Sequence, residues 1–292
     1  MNHWLLWRPV WRTLSEFTAA GPAVLGIGKP CRLALDALSR LPADFSFYDA
    51  MDDFPEFHRG ISRRSVARLE AQIATGVDLV VASSTALAEK FSNHGCDVER
   101  VLNAYPMREV PPHKVRRDPQ PQPIVGYIGC LGPWFDWPLV LELAGQLPDV
   151  CFELIGPCAV SPPRSRPVNV HLRPACGREE AVAHASRFAT GLIPFRRNRL
   201  TAGVDPIKYY EYRALGLSAL STRFGEMSAR SGERGLFFLN PGEGHAPIVR
   251  AAMEYQSSPA EVATFRRENC WQARFNGARL FRVMEPRSRR AA

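Results

Sequence analysis

Short runs of Val, Ile, Leu and Phe recur along this chain with helix-periodic segments between most of them, and that alternation leaves few folds open. It is the signature of βαβ units, which build parallel sheets. In the first half the runs at 23–28, 44–50, 78–84 and 98–104 read as strands, with helices at 31–41, 63–76 and 85–95. In the second half strands are expected at 123–129, 150–156, 168–172, 190–195, 217–222 and 235–240.

The stretch PPHKVRRDPQPQP, residues 111–123, breaks the rhythm with five prolines and no apolar period. It reads as a linker. The expected organisation is an α/β domain over 1–110, the linker, a second α/β domain over 124–256, and a helical segment over 257–292. Phe265, Trp271, Phe275 and Phe281 form an apolar series in that last segment, which core packing accounts for. The first domain looks short for a doubly wound unit.

Composition narrows the classes. No apolar run approaches the roughly 18 residues of a membrane span, and the opening MNHWLLWRPVWRTLSEF interleaves Trp with Arg unlike a signal peptide. A cytoplasmic protein is expected. Seven cysteines, odd in number and never spaced CxxC, argue against a disulfide framework or a zinc site. The net charge of +8 is spread along the chain apart from short clusters such as RRNR at 196–199 and RSRR near the C-terminus. Without an RNP-like, zinc-finger or basic-zipper pattern, nucleic acid is not an expected partner. Only four of the 37 basic residues are lysine, namely Lys29, Lys90, Lys114 and Lys208.

The second half carries the chemistry. The strand at 124–129 runs into a turn with Gly129, Gly132 and Pro133 before a helix from about Trp137. Glycines there let backbone amides approach a phosphate or sugar, although the GxxG spacing is not the dinucleotide fingerprint. In VDPIKYYEYRALG, residues 204–216, Asp205 is a good N-cap and Pro206 suits the first helical position. Lys208 then adds positive charge to a helix end that already favours anions, as a diphosphate site requires. Glu211 lies about 4.5 Å further along the axis, an offset that suits ribose hydroxyls. The alternative is an ordinary i, i+3 Lys–Glu pair.

YDAMDDF (48–54), VVASSTALAEKF (80–91), VLNAYP (101–106), VGYIGCLGPWFDW (125–137), FELIGP (152–157), GLIPF (191–195) and DPIKYYEYRALG (205–216) resemble the ordered motifs of GT-B glycosyltransferases of the family 4 type, found in bacterial polysaccharide synthesis. The resemblance runs from about residue 40 to 255. It implies two Rossmann-like domains facing a cleft, the C-terminal one holding a nucleotide-sugar donor and the N-terminal one a saccharide or lipid-linked acceptor. It maps Glu211 to the ribose carboxylate, Lys208 to a phosphate contact and Gly129 to Gly132 to the donor-facing loop, and it implies a final helix that crosses back to the first domain, as the segment 257–292 could. From their own place after the GLIPF strand, Arg196 and Arg197 either add to the phosphate clamp or are solvated surface charge.

The chain departs from the family twice. Gly203 stands where many members have a second glutamate, leaving Asp205 as the nearest acid, and the family's opening strand and Gly-rich loop have no counterpart, so the N-terminal domain reads as incomplete. A non-catalytic nucleotide-sugar-binding or scaffold protein is therefore the alternative function. Glycosyl transfer needs positive charge at the leaving diphosphate, so no obligatory metal or cofactor is expected. Asp49, Asp52 and Asp53 lie at a strand end, and Asp52 is a candidate base for the acceptor hydroxyl, with His58 its rival. The basic surface and Trp-rich N-terminus fit peripheral contact with the inner membrane face.

Overall fold

The computed structural model describes residues 3–105, 122–240, 242 and 244–284. The expected linker lies outside the described residues as far as residue 121, as does the RSRR cluster. Two compact units divide the chain: Met1–Leu102 with Phe275–Ala292, and Asn103–Arg274.

The first unit opens with α1 (His3–Ala19) and continues β1 (Val24–Ile27), α2 (Arg32–Arg40), β2 (Phe45–Ala50), a 3-10 turn (Phe54–Phe57), α3 (Gly60–Gly76), β3 (Leu79–Ala82), α4 (Thr85–Ser92) and β4 (Val98–Arg100). The four strands are parallel and lie in sequence order. Because βαβ crossovers are right-handed, sequential order puts every connecting helix on one face. The two cores follow. Tyr48, Ala50, Val80 and Ala82 pack with Leu35, Leu38, Ile73, Leu87 and Phe91 of those helices. The alternate strand residues Phe45, Phe47, Leu79 and Val81 point the other way and meet Leu280.

The second unit runs β5 (Ile124–Ile128), α5 (Trp137–Gln146), β6 (Cys151–Ile155), β7 (Val170–Arg173), α6 (Arg178–Ala185), β8 (Thr190–Ile193), α7 (Arg199–Ala202), α8 (Ile207–Ala214), β9 (Ser218–Thr222), a 3-10 turn (Gly225–Arg230), β10 (Leu236–Leu239) and α9 (His245–Glu254). Its six parallel strands are ordered β10-β9-β8-β5-β6-β7. The chain builds outward from β5 to β7, then returns to β5's other side as β8. That reversal makes a switch point, where open α/β sheets present a crevice beyond the carboxyl ends of their strands.

All ten expected strands form. The C-terminal segment differs from its expected continuous helix: it is broken into α10 (Pro259–Glu268), α11 (Trp271–Gly277) and α12 (Arg279–Met284). At the first break the backbone turns to Tyr105 instead: Tyr105 N–H donates to Asn269 O at 3.2 Å, and Trp271 N–H to Tyr105 O at 3.4 Å. The α12 residues belong to the first unit, where the Leu280 N–H donates to Glu99 of β4 at 2.9 Å and Arg279 pairs with Asp97 at 2.7 Å. Helix α1 carries Pro9 in its interior, a residue that normally breaks the pattern. Among the described residues no helix is long and apolar enough to cross a membrane.

Candidate functional site

Strand β5 runs directly into Gly129, whose φ of 148° suits glycine and whose N–H donates to Ile155 O at 2.8 Å. Gly156, φ 141°, closes the end of β6 directly against it, where a side chain would meet the Gly129 carbonyl. The space a Gly129 side chain would fill is taken by Lys208: a Cβ would lie 2.5 Å from Nζ and closer still to Cε. The glycine turn and the lysine, 79 positions apart by number, thus form one feature at the switch point.

Lys208 reaches this place from the first turn of α8. Its Nζ lies 5.4 Å from the centroid of the Tyr127 ring. Among the described residues no side chain gives it a hydrogen bond or ion pair. Burial pushes its pKa down, opposed by the charges of Glu211 and Cys130. A desolvated ammonium without a counter-ion is costly to keep, and an anion bound there would offset the cost. Glu211, three residues on, does not pair with Lys208; it accepts a hydrogen bond from Arg178 of α6 at 2.6 Å. Arg178 was missed from sequence, although a cation at a helix start is the same unusual signal that Lys208 gives.

The α8 tyrosines are structural. Tyr212 accepts the Ile128 N–H at 3.1 Å, tying the helix to the end of β5. Tyr210 donates to Asp205 at 2.7 Å. This revises the expected helix start: Pro206 is the N-cap residue, without a side-chain cap, and Ile207 begins the helix. Asp205, 3% exposed, pairs instead with Arg230 at 2.9 Å and accepts the Asn103 N–H at 2.9 Å. Burial raises its pKa, against the lowering effects of Arg230, Tyr210 and Asn103. Its carboxylate is taken up by the protein and does not face a donor as the nearest acid.

Gly132 lies beside the Trp134 ring, and the Arg196 N–H donates to Trp134 O at 2.7 Å. That bond ties the loop after β8 to the glycine turn, while the Arg196 side chain points to solvent. Gly129, Lys208 and Glu211 are therefore brought together, Gly132 and Arg196 border them through backbone, and Asp205 is withdrawn.

In the first unit Asp52 follows β2, and its pKa is pushed up to about 6 by burial and then by the charge of Asp53. His58 is exposed beyond the 3-10 turn, its N–H donating to Pro55 O at 3.0 Å. Asp53 is engaged by Lys90 at 2.8 Å, and Lys90 also bonds Glu70 at 2.6 Å, which accepts from Tyr48. Asp53, Lys90 and Glu70, with Glu56, Arg63 and His94, line a cavity of about 230 Å³. Its acids and its Lys and Arg are paired with one another, in contrast to Lys208. Among the described residues no group of three or more His, Cys, Asp or Glu could hold a metal ion.

No family model matches the chain, and no curated protein matches it by sequence. Solved structures do resemble it. The sucrose-phosphate synthase of Thermosynechococcus elongatus aligns with a TM-score of 0.70 at 14% identity, over 94% of this chain and 79% of its own. The lipopolysaccharide outer core galactosyltransferase WaaB in its apo form gives 0.61 at 13%, over 91% and 76%. HepE of Anabaena in complex with UDP gives 0.60 at 15%, over 89% and 76%. At these identities the likeness establishes the fold: α/β units with parallel sheets, of the GT-B type expected from the sequence.

Proposed function

We propose that this chain is a glycosyltransferase that moves a sugar from a nucleotide-sugar donor to a saccharide or lipid-linked acceptor, in the cytoplasm or against the inner membrane face. The observation that carries this reading is the ammonium of Lys208, desolvated, without a counter-ion and packed on Gly129 at the switch point of the second sheet. A diphosphate is a suitable partner, and Glu211 is three residues further along α8 to accept from ribose hydroxyls. HepE has been solved with UDP and with UDP-glucose, which supports a nucleotide-sugar donor for the shared fold.

In this reading Lys208 and the first-turn amides of α8 balance the charge of the departing nucleoside diphosphate, so no obligatory metal takes part. Gly129, Gly132 and Arg196 border the donor, and Asp52 or His58 activates the acceptor hydroxyl. Thermal melts with UDP, GDP, ADP and TDP and their sugars test the binding step. A nucleotide at 100 times its dissociation constant adds about 2.7 kcal/mol of stability. No shift with any of them sinks the reading. A shift without transfer to an acceptor or slow donor hydrolysis assigns the chain to the alternative, a non-catalytic nucleotide-sugar-binding or scaffold protein.

A further inference from the structure

We propose that the segment from Phe57 to Arg68 is a docking surface for an anionic lipid bilayer. It gives a surface to the membrane contact in the reading above, rests on that part of it and not on the donor site, and is argued from the first unit alone. Two large apolar side chains on this short stretch are open to water: Phe57 at 47% and Ile61 at 85% exposure. Single exposed apolar residues are ordinary, but two of them four positions apart within a stretch whose charge is all basic are not. Residues 57–69, FHRGISRRSVARL, contain four arginines and a histidine and no acid.

The helix period arranges this charge. Ile61, Arg64, Ser65 and Arg68 fall at i, i+3, i+4 and i+7 of α3 and are all exposed, so an apolar tip is continuous with a basic stripe. Arg59 and His58 stand exposed just before it. The opposite side of α3 turns Glu70, Ile73 and Ala74 inward.

The segment is held firmly from below. Pro55 is buried, Phe54 packs on the core, Asp53 is bonded by Lys90, and Glu56 is paired with Arg63 across the 3-10 turn. The exposed side chains therefore project from a fixed platform, and little ordering is lost when they insert. Apolar groups that enter the acyl boundary, flanked by cations that meet headgroup phosphates, match an anionic bilayer. A nucleic acid backbone would use the arginines and leave Ile61 and Phe57 without a role.

The test is co-sedimentation of the full chain with vesicles of phosphatidylcholine alone or mixed with phosphatidylglycerol. Binding to the mixed vesicles is expected to be at least about tenfold tighter and to weaken with salt. The double variant Phe57→Ser, Ile61→Ser, with its charges intact, is expected to lose it, and so is Arg64→Glu, Arg68→Glu. All four positions are solvent-facing or half-exposed, so the melting temperature reports whether each variant is folded, and either alone suffices. The proposal is overturned by absence of binding, by equal binding to both vesicles, or by undiminished binding in both folded variants, which would move the contact to a surface such as α1. It is also overturned if the arginine variant loses DNA or RNA binding while the apolar variant and the vesicles show no effect.

Discussion

Replacing Lys208 with Met separates the two roles a half-buried lysine can have. Met keeps most of the aliphatic stem that fills the space above Gly129 and removes the charge. The stability terms oppose each other. The ammonium is desolvated, so its loss relieves a cost, while the contact with the Tyr127 ring at 5.4 Å is worth about 0.5–2 kcal/mol and disappears. No ion pair or hydrogen bond is broken, and the net change should stay within about 1 kcal/mol, or about 2–4 °C in melting temperature. Binding behaves differently. A charged hydrogen bond to a phosphate is worth about 1.5–3 kcal/mol, so the affinity for a nucleoside diphosphate should fall about 10- to 100-fold. The assay is calorimetric titration of Lys208→Met and the parent chain with the nucleotide that gives the largest thermal shift. The pH dependence carries a sign as well. A lysine whose folded pKa is lowered binds fewer protons in the native state, so parent stability rises as pH climbs from that folded value towards 10.5, and the Met variant lacks the rise. Undiminished nucleotide affinity in the variant would refute the assignment of Lys208 to the phosphate site.

Gly129→Ala should weaken nucleotide binding by displacing the Lys208 amine, and should cost about 1–3 kcal/mol of stability from the positive φ, measured by urea unfolding. Asp205→Asn leaves Arg230 buried without its anion and should cost about 3–5 kcal/mol in the same assay. The folded Asp52 carboxyl titrates near 6 against 3.8 when free, so it favours the native state below about pH 4 and loses that contribution as pH rises through 6. Asp52→Asn should flatten this slope in thermal melts, and if Asp52 is the acceptor base it should also lower transfer at least about 100-fold, whereas His58→Gln should not. Transfer is expected to persist in EDTA.

The inner strands were legible because a parallel sheet covered by helices leaves nearly continuous apolar runs, as at Leu79–Ala82 and Ile124–Ile128, while the edge strands Val98–Arg100 and Val170–Arg173 are only partly buried and carry charge. The glycine turn and Lys208 were legible separately, since each is an exception to a local rule. Their contact was not, because only the packing of α8 against the sheet creates it. The start of α8 was misplaced for a related reason: Asp205 before Pro206 is locally a good cap, but Arg230 and Asn103 recruit its carboxylate from outside the window. The alternative of a local Lys208–Glu211 pair fails in the same way, since Glu211 is bonded by Arg178, 33 residues away. The single C-terminal helix was expected from periodicity, which cannot register that Tyr105 diverts the backbone at Asn269 and Trp271.

The sequential order of the first sheet has a consequence for how the chain is made. With every crossover helix on one face, Leu79 and Val81 on the other depend on Leu280 of α12 for cover. During synthesis the first unit therefore emerges with that face bare, and it stays bare until the whole second unit has followed. The second unit's sheet needs no such late arrival, so a chain ended after Gly277 should leave it folded while the first unit becomes the part that aggregates.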